Sequence, residues 1–287
     1  MSAERRYNLE EIISENDKNK LLALLKERKI SAAQFDAIID QLQNHDPAVK
    51  HYEHHWGQNH IKIALMSDLH IGSKFASKAN INDAFKRSKD EGVEAIYIAG
   101  DITEGYNMRP GHSFECVLHG ADDQIQGVVN TIPNIGKPIY FITGDHDYSH
   151  FKRQKIEVGK HIEELRSDMH YLGMFDAHIE FSKNTVLTLS HPAKGTAYAV
   201  SYHPQKMVEA FSGGEKPNIL AIGHYHKIEY LFYRNIHVFQ TGCLQKQTDW
   251  MRRMNISAHE GFWILDIYMK KNGEIDRIDM KMFPYYK

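Results

Sequence analysis

The chain has 287 residues, 42% of them hydrophobic and 25% charged, with a formal net charge of −2. That is room for one large domain, or one plus a small appendage, with material for a substantial core. It gives no global field steering the chain toward nucleic acid or an anionic membrane. No stretch approaches the ~18 consecutive apolar residues of a membrane span, and the N-terminus carries no apolar signal core. The two cysteines, Cys116 and Cys243, sit in unrelated segments, so a cytoplasmic protein with free thiols and no membrane contact is expected.

Residues 1–57 read as an N-terminal helical hairpin and linker, and residues 58–287 as the main domain. Leu21, Leu22, Leu24 and Leu25 give the first helix an apolar face. Ser31 and Gln34 form a capping box for the second, with Ile30 and Phe35 at the staple positions. Its stripe continues through Phe35, Ile38, Ile39 and Leu42. So short a hairpin cannot bury an independent core. It is expected to dock on the main domain or on another subunit, as a route to a homo-oligomer or a protein partner. Two-thirds of a helix-turn-helix unit is the alternative. The histidines of His51-Tyr52-Glu53-His54-His55-Trp56 have no carboxylate or cysteine to complete a metal set, and the segment reads as a solvated linker.

From Ile61 the pattern alternates. Strands are expected at 61–66, 95–99 and 139–143, and helices at 79–91, 121–132 and 155–166. A long irregular stretch, 104–119, separates the second strand from the second helix. Strands at 178–181, 185–190, 219–222, 228–233 and 236–240 follow. A C-terminal hairpin over 261–269 and 274–282 turns at Asn272-Gly273. Alternating β/α units followed by β hairpins predict an α/β fold, a two-sheet β-sandwich flanked by helices, with the small N-terminal hairpin appended.

Four of these strands end in Asp or His: Ile61–Met66 into Asp68 and His70, Ala95–Ala99 into Asp101, Ile139–Thr143 into Asp145-His146-Asp147, and Ile219–Ile222 into His224 and His226. Ligands in α/β sheets bind at the carboxyl ends of strands, so these motifs can converge although they lie far apart in sequence. With His191, the candidate metal ligands are Asp68, His70, Asp101, Asp145, His191, His224 and His226. Seven mixed carboxylate and imidazole donors are too many for one ion and suit two transition-metal ions sharing a carboxylate. The i, i+2 spacing of Asp68/His70 and His224/His226 is expected to aim both side chains the same way from an extended turn.

The order Asp-x-His, Gly-Asp, Gly-Asp-His-Asp, His, Gly-His-x-His resembles that of the calcineurin-like metallophosphoesterases over roughly residues 60–285. The resemblance implies a first metal held by Asp68, His70 and His226. A second would be held by Asp145, His191 and His224, with Asp101 bridging. It also implies hydrolysis of a phosphate ester by a water activated between the metals, with His146 beside the phosphate and Asp147 orienting it. The family usually has Asn where this chain has Asp145, and often His-Gly where it has His191-Pro192. The extra charge of Asp145 should tighten cation binding and favours manganese, with zinc, iron or nickel as alternatives.

For the substrate, the residues near the site are Arg109, His112, Tyr148, Trp250, Arg252 and Arg253, with His150 close by in sequence. Aromatics interleaved with cations can stack bases and pair phosphates, or form a packing corner with a solvated basic rim. The segments 191–206 and 245–253 resemble the nuclease-leaning, prokaryotic and phage branch of the family. Three readings stay open: a phosphodiesterase or nuclease on DNA, RNA or a nucleotide; a phosphomonoesterase or protein phosphatase; and a catalytically silent binding subunit.

Overall fold

The computed structural model describes residues 50–54, 59–193, 195, 197–212 and 216–286. The expected N-terminal hairpin, with His55 and Trp56 of the linker, lies outside them. The rest of that linker departs from expectation. Strand β1 (Lys50–Glu53) joins a sheet edge in parallel with residues 177–180. The His51 ring stacks on His178 at 5.0 Å, Tyr52 Oη donates to the Leu172 carbonyl at 2.5 Å, and His54 Nδ1 lies 3.0 Å from Tyr97 Oη. His51 and His54 thus pack against neighbouring strands.

The elements then alternate as expected: β2 (His60–Met66), α1 (Lys78–Asp90), β3 (Ala95–Ala99), α2 (Ala121–Thr131) and β4 (Ile139–Thr143). Helix α3 (Asp145–Gln154) begins two residues after β4, where the sequence suggested only a strand-end loop. Lys155, at φ 61°, ends it and separates it from α4 (Val158–Leu165). Strands β5 (Met169–Met174), β6 (Asp176–Ser182) and β7 (Thr185–Ser190) follow, then α5 (Tyr202–Ala210), β8 (Ile219–Ile222), β9 (Ile228–Tyr233) and β10 (Ile236–Thr241). Helix α6 (Asp249–Arg253) precedes the closing hairpin of β11 (Gly261–Met269) and β12 (Ile275–Pro284).

Two six-stranded sheets result, in the orders β12-β11-β2-β3-β4-β5 and β1-β6-β7-β8-β10-β9. Strands β2 to β5 run parallel, as do β7, β8 and β10. The alternation along β2 shows how the layers are built. Ile61, Ile63 and Leu65 pack with Ile179, Leu187 and Phe239 of the other sheet, while Ala64 and Met66 pack with Ile81 and Phe85 of α1. A sheet covered on both faces has no solvent side, so β3 reads Ala-Ile-Tyr-Ile-Ala and every residue of it is buried. Helix α5 covers the outer face of the second sheet through Val208, against Leu220 and Val238. The chain is therefore an α/β protein of two mixed sheets flanked by helices. Among the described residues no helix is long and apolar enough to cross a membrane.

Candidate metal centre

The strand-end motifs leave the sheets through unusual backbone. Asp68, His70, Asp101, His224 and His226 all have positive φ, between 49° and 76°. The extended turn expected for the i, i+2 pairs is therefore replaced by left-handed residues. Asp and His tolerate that region better than most residues, but each such residue costs about 1–3 kcal/mol. Lateral hydrogen bonds hold the turns together. Asp68 N donates to Gly100 O at 3.0 Å, His70 N to Asp101 O at 3.0 Å, and His224 N to Asp68 Oδ2 at 3.0 Å. The glycines just before the motifs make room for His191. A Cβ on Gly144 would fall 2.6 Å from His191 Nε2 and 2.3 Å from Asp101 Oδ1, and one on Gly100 2.4 Å from His191 Nδ1.

Two donor groups form. Asp68, His70 and His226 make an inner triad: His226 Nε2 lies 3.1 Å from both Asp68 Oδ1 and His70 Nε2. Asp145, His191 and His224 make an outer group together with Asp101. Asp145 Oδ1 is 3.1 Å from His191 Nε2 and 3.1 Å from His224 Nδ1. Asp101 lies between them, its Oδ2 3.2 Å from His191 Nε2 and 3.7 Å from His70 Nε2. All seven expected ligands thus come together.

Outer contacts fix the rings. His191 Nδ1 donates to the Ala99 carbonyl at 2.7 Å, and His70 Nδ1 to Glu104 Oε2 at 2.9 Å, so each Nε2 is turned toward the cluster. Glu104 was not foreseen. It is buried, and it also takes His112 Nε2 at 3.1 Å and Gln245 Nε2 at 3.1 Å. Burial alone would raise its carboxyl, but the bonds from His112 and His70 hold it well below the usual range. Burial likewise opposes ionisation of Asp68, and there His226 and His70 prevail and hold it low. Burial alone would keep His70 and His191 neutral, but Asp68 and Glu104 raise His70, and Asp101 and Asp145 raise His191, well above an ordinary imidazole.

His146 sits in the first turn of α3, its ring edge-on to His70 at 4.5 Å. Its orientation corrects one expectation. Nδ1 donates to the Glu104 carbonyl at 2.5 Å, while Asp147 serves the backbone. Asp147 accepts from Gly144 N at 2.9 Å, Thr103 N at 2.8 Å and Thr103 Oγ1 at 2.6 Å. It caps α3 and pins the loop after β3. Burial, then the nearby Asp101, raises its carboxyl, the opposite of what an orienter of a charged imidazole requires.

A cavity of about 300 Å³ opens onto the cluster, and His146, Asp101 and Asp145 line it. Of the residues expected at the substrate, Arg109 and Trp250 line it too, with Met108, Met251 and Ile256. The others do not. His112 is buried beneath Glu104, and Tyr148 packs on Phe151 and Phe175. Arg252 pairs with Asp249 at 2.8 Å on the surface, and Arg253 is exposed. His150 is buried against Gln124 Oε1 at 3.2 Å, and burial pushes its imidazole down to about 4.

The donor set fits divalent cations. Asp68 and Asp101 are buried carboxylates whose ion-pair partners are imidazoles, and buried charge needs closely placed opposite charge. Mixed oxygen and imidazole donors suit transition metals.

The family model for the calcineurin-like phosphoesterase superfamily domain matches residues 61–259. Curated relatives include the DNA polymerase II small subunit of Halobacterium salinarum, 26% identical over 243 residues, which are 69% of this chain and 46% of that protein. That of Pyrococcus horikoshii is 24% identical over 259 residues, 70% of this chain and 39% of that protein. The chain spans less than half the length of these two relatives. Among solved structures, an archaeal phosphodiesterase is 15% identical with a TM-score of 0.43, covering 77% of this chain and 100% of its own. A zinc complex of Vps29 from Entamoeba histolytica is 11% identical with a TM-score of 0.38, covering 78% and 99%. With the family match running from β2 through the last strand-end motif, the chain belongs to the calcineurin-like phosphoesterase superfamily.

Proposed function

We propose that this chain is a phosphodiesterase that cuts a nucleic-acid strand or nucleotide at a dinuclear metal centre. Asp68, His70 and His226 would hold one ion and Asp145, His191 and His224 the other, with Asp101 between them. The observation that carries the reading is the meeting of all seven donors in one cluster, five of which line a single cavity together with His146. Two divalent cations there would polarise the phosphoryl oxygens and bring a water's pKa toward neutrality. The chain's own residues supply the rest. The Glu104 carbonyl holds His146 Nδ1, leaving Nε2 to stabilise charge on the phosphoryl oxygens or to protonate the leaving oxygen. Glu104 and Ala99 set the ring orientations of His70 and His191. Manganese is the metal proposed, on the strength of the added charge at Asp145.

A second reading is favoured by the curated relatives, whose names describe a polymerase small subunit. In it the chain is a subunit of an assembly on DNA and turns nothing over. The comparisons support a protein partner and association with DNA in either case, and a cytoplasmic location suits both.

Turnover by the purified chain with Mn²⁺ on bis-p-nitrophenyl phosphate, p-nitrophenyl phosphate and labelled single-stranded DNA separates them, with metal content read by elemental analysis. Diester cleavage that stops with a chelator and returns with Mn²⁺ is expected. Monoester turnover alone would replace the reading with a phosphomonoesterase. Two bound metals and silence on every substrate would establish the subunit reading.

A further inference from the structure

Part of the cavity lining differs in chemistry from the metal donors. Met251 and Trp250 from α6, Ile256 just after it and Met108 from the loop after β3 supply apolar surface. The Arg109 guanidinium lies 4.6 Å from the centre of the Trp250 ring and is paired with Glu115. An arginine already neutralised by a carboxylate is poorly placed to capture a second phosphate. Stacked over the indole, it covers part of one face of Trp250 and offers its own planar face, and Met108 and Met251 add flexible thioethers to the same lining.

Most of the polar groups of this wall are engaged. Gln245 Nε2 donates to Ser73 Oγ and Glu104 Oε2, each at 3.1 Å, and Thr248 Oγ1 accepts from Met251 N at 3.1 Å as the cap of α6. A ligand here meets π-faces and apolar contacts and few free hydrogen-bonding groups. With the phosphate at the donor cluster, a cavity of about 300 Å³ has room beside it for one flat ring.

We infer that the Trp250–Arg109 wall is a subsite for a single unpaired nucleobase next to the scissile phosphate, and that it accepts the base without reading its identity. The inference rests on the proposed phosphodiester cleavage for its context and adds the form of the substrate: a single-stranded end or unpaired nucleotide, cut with little sequence preference.

The test uses the full chain with Mn²⁺ and a single-stranded oligonucleotide carrying either a normal base or an abasic residue at each end in turn. Base–aromatic stacking predicts that kcat/KM favours the intact end by about tenfold at one of the two ends. That preference should collapse toward unity in W250A and be largely restored in W250F, and it should be similar for all four bases. Because it is a ratio within each variant, a general loss of activity cancels. Quenching of tryptophan emission by the intact oligonucleotide, absent with the abasic one and absent in W250F, gives a readout that needs no turnover. Cleavage with no preference for an intact base at either end, or one that W250A leaves in place, overturns the subsite while phosphodiester hydrolysis stands. Quenching without cleavage sinks the hydrolase reading and leaves the subsite. Neither cleavage nor quenching overturns the subsite as well.

Discussion

The two halves of the donor cluster are built differently. In the inner triad the side chains of Asp68, His70 and His226 are 0%, 2% and 9% exposed, and Glu104 stands behind His70. In the outer group Asp145 is 31% and His224 19% exposed, while His191 and the shared Asp101 are enclosed. The inner half is thus held by packing and outer contacts, and the outer half by the first turn of α3 and the turn after β8, where side chains remain partly open to solvent. A buried, backed half is suited to keeping an ion, and an open half to exchanging solvent for substrate. The difference teaches that equal numbers of ligands need not make equal sites.

His146 bridges this division, because its backbone N–H donates to Asp101 Oδ1 at 3.0 Å while its ring lies beside His70. H146A is expected to lower kcat on diesters by about 10²–10⁴-fold while two metals per chain remain bound. Steady-state kinetics with elemental analysis check this. Loss of one metal in the variant would make His146 a ligand and break the contrast between donors and wall.

The strand ends were legible because buried parallel strands are uninterrupted apolar runs, and an Asp or His directly behind such a run has few structural reasons to be there. The fold class followed from the same alternation. Glu104 was not legible: its role depends on the loop after β3 folding back under His70, and nothing in Asp101-Ile-Thr-Glu104 marks one carboxylate as a ligand and the other as its support. Asp147 misled for the opposite reason. It stands beside His146 in sequence, but α3 begins at Asp145, and a residue in a first helical turn next to a glycine cap is used by backbone N–H groups. In 245–253 the aromatic and the cations were read as one set. Once Asp249–Arg253 is helical, Trp250 and Met251 reach the cavity while Arg252 and Arg253 point away from it.

The unforeseen Glu104 offers the next largest effect. In E104Q the side chain keeps its size but can no longer accept from both His70 and His112, so the inner imidazole loses its fixed orientation. Removal of such outer contacts costs about 10–100-fold in metal affinity. Calorimetric titration with Mn²⁺ should show the tighter of two binding events weakened by that factor and the other little changed. Equal weakening of both would mean that the halves act as one unit.

The smallest effect should be at Asp145, where the chain departs from the usual Asn of its family. Its carboxylate is held low, against the opposing effect of burial, by His191 and His224. It is also partly open to water, which screens its charge. D145N keeps an oxygen donor of the same length and removes one negative charge. Near the solvent-facing limit of screening, that charge amounts to roughly tenfold in cation affinity. The loss should fall on the weaker binding event alone, with the ratio of Mn²⁺- to Zn²⁺-supported activity dropping. If D145N instead weakened the tight event, Asp145 would belong to the ion of the inner triad. The outer group would then be the substrate-facing edge of a single site rather than a second site.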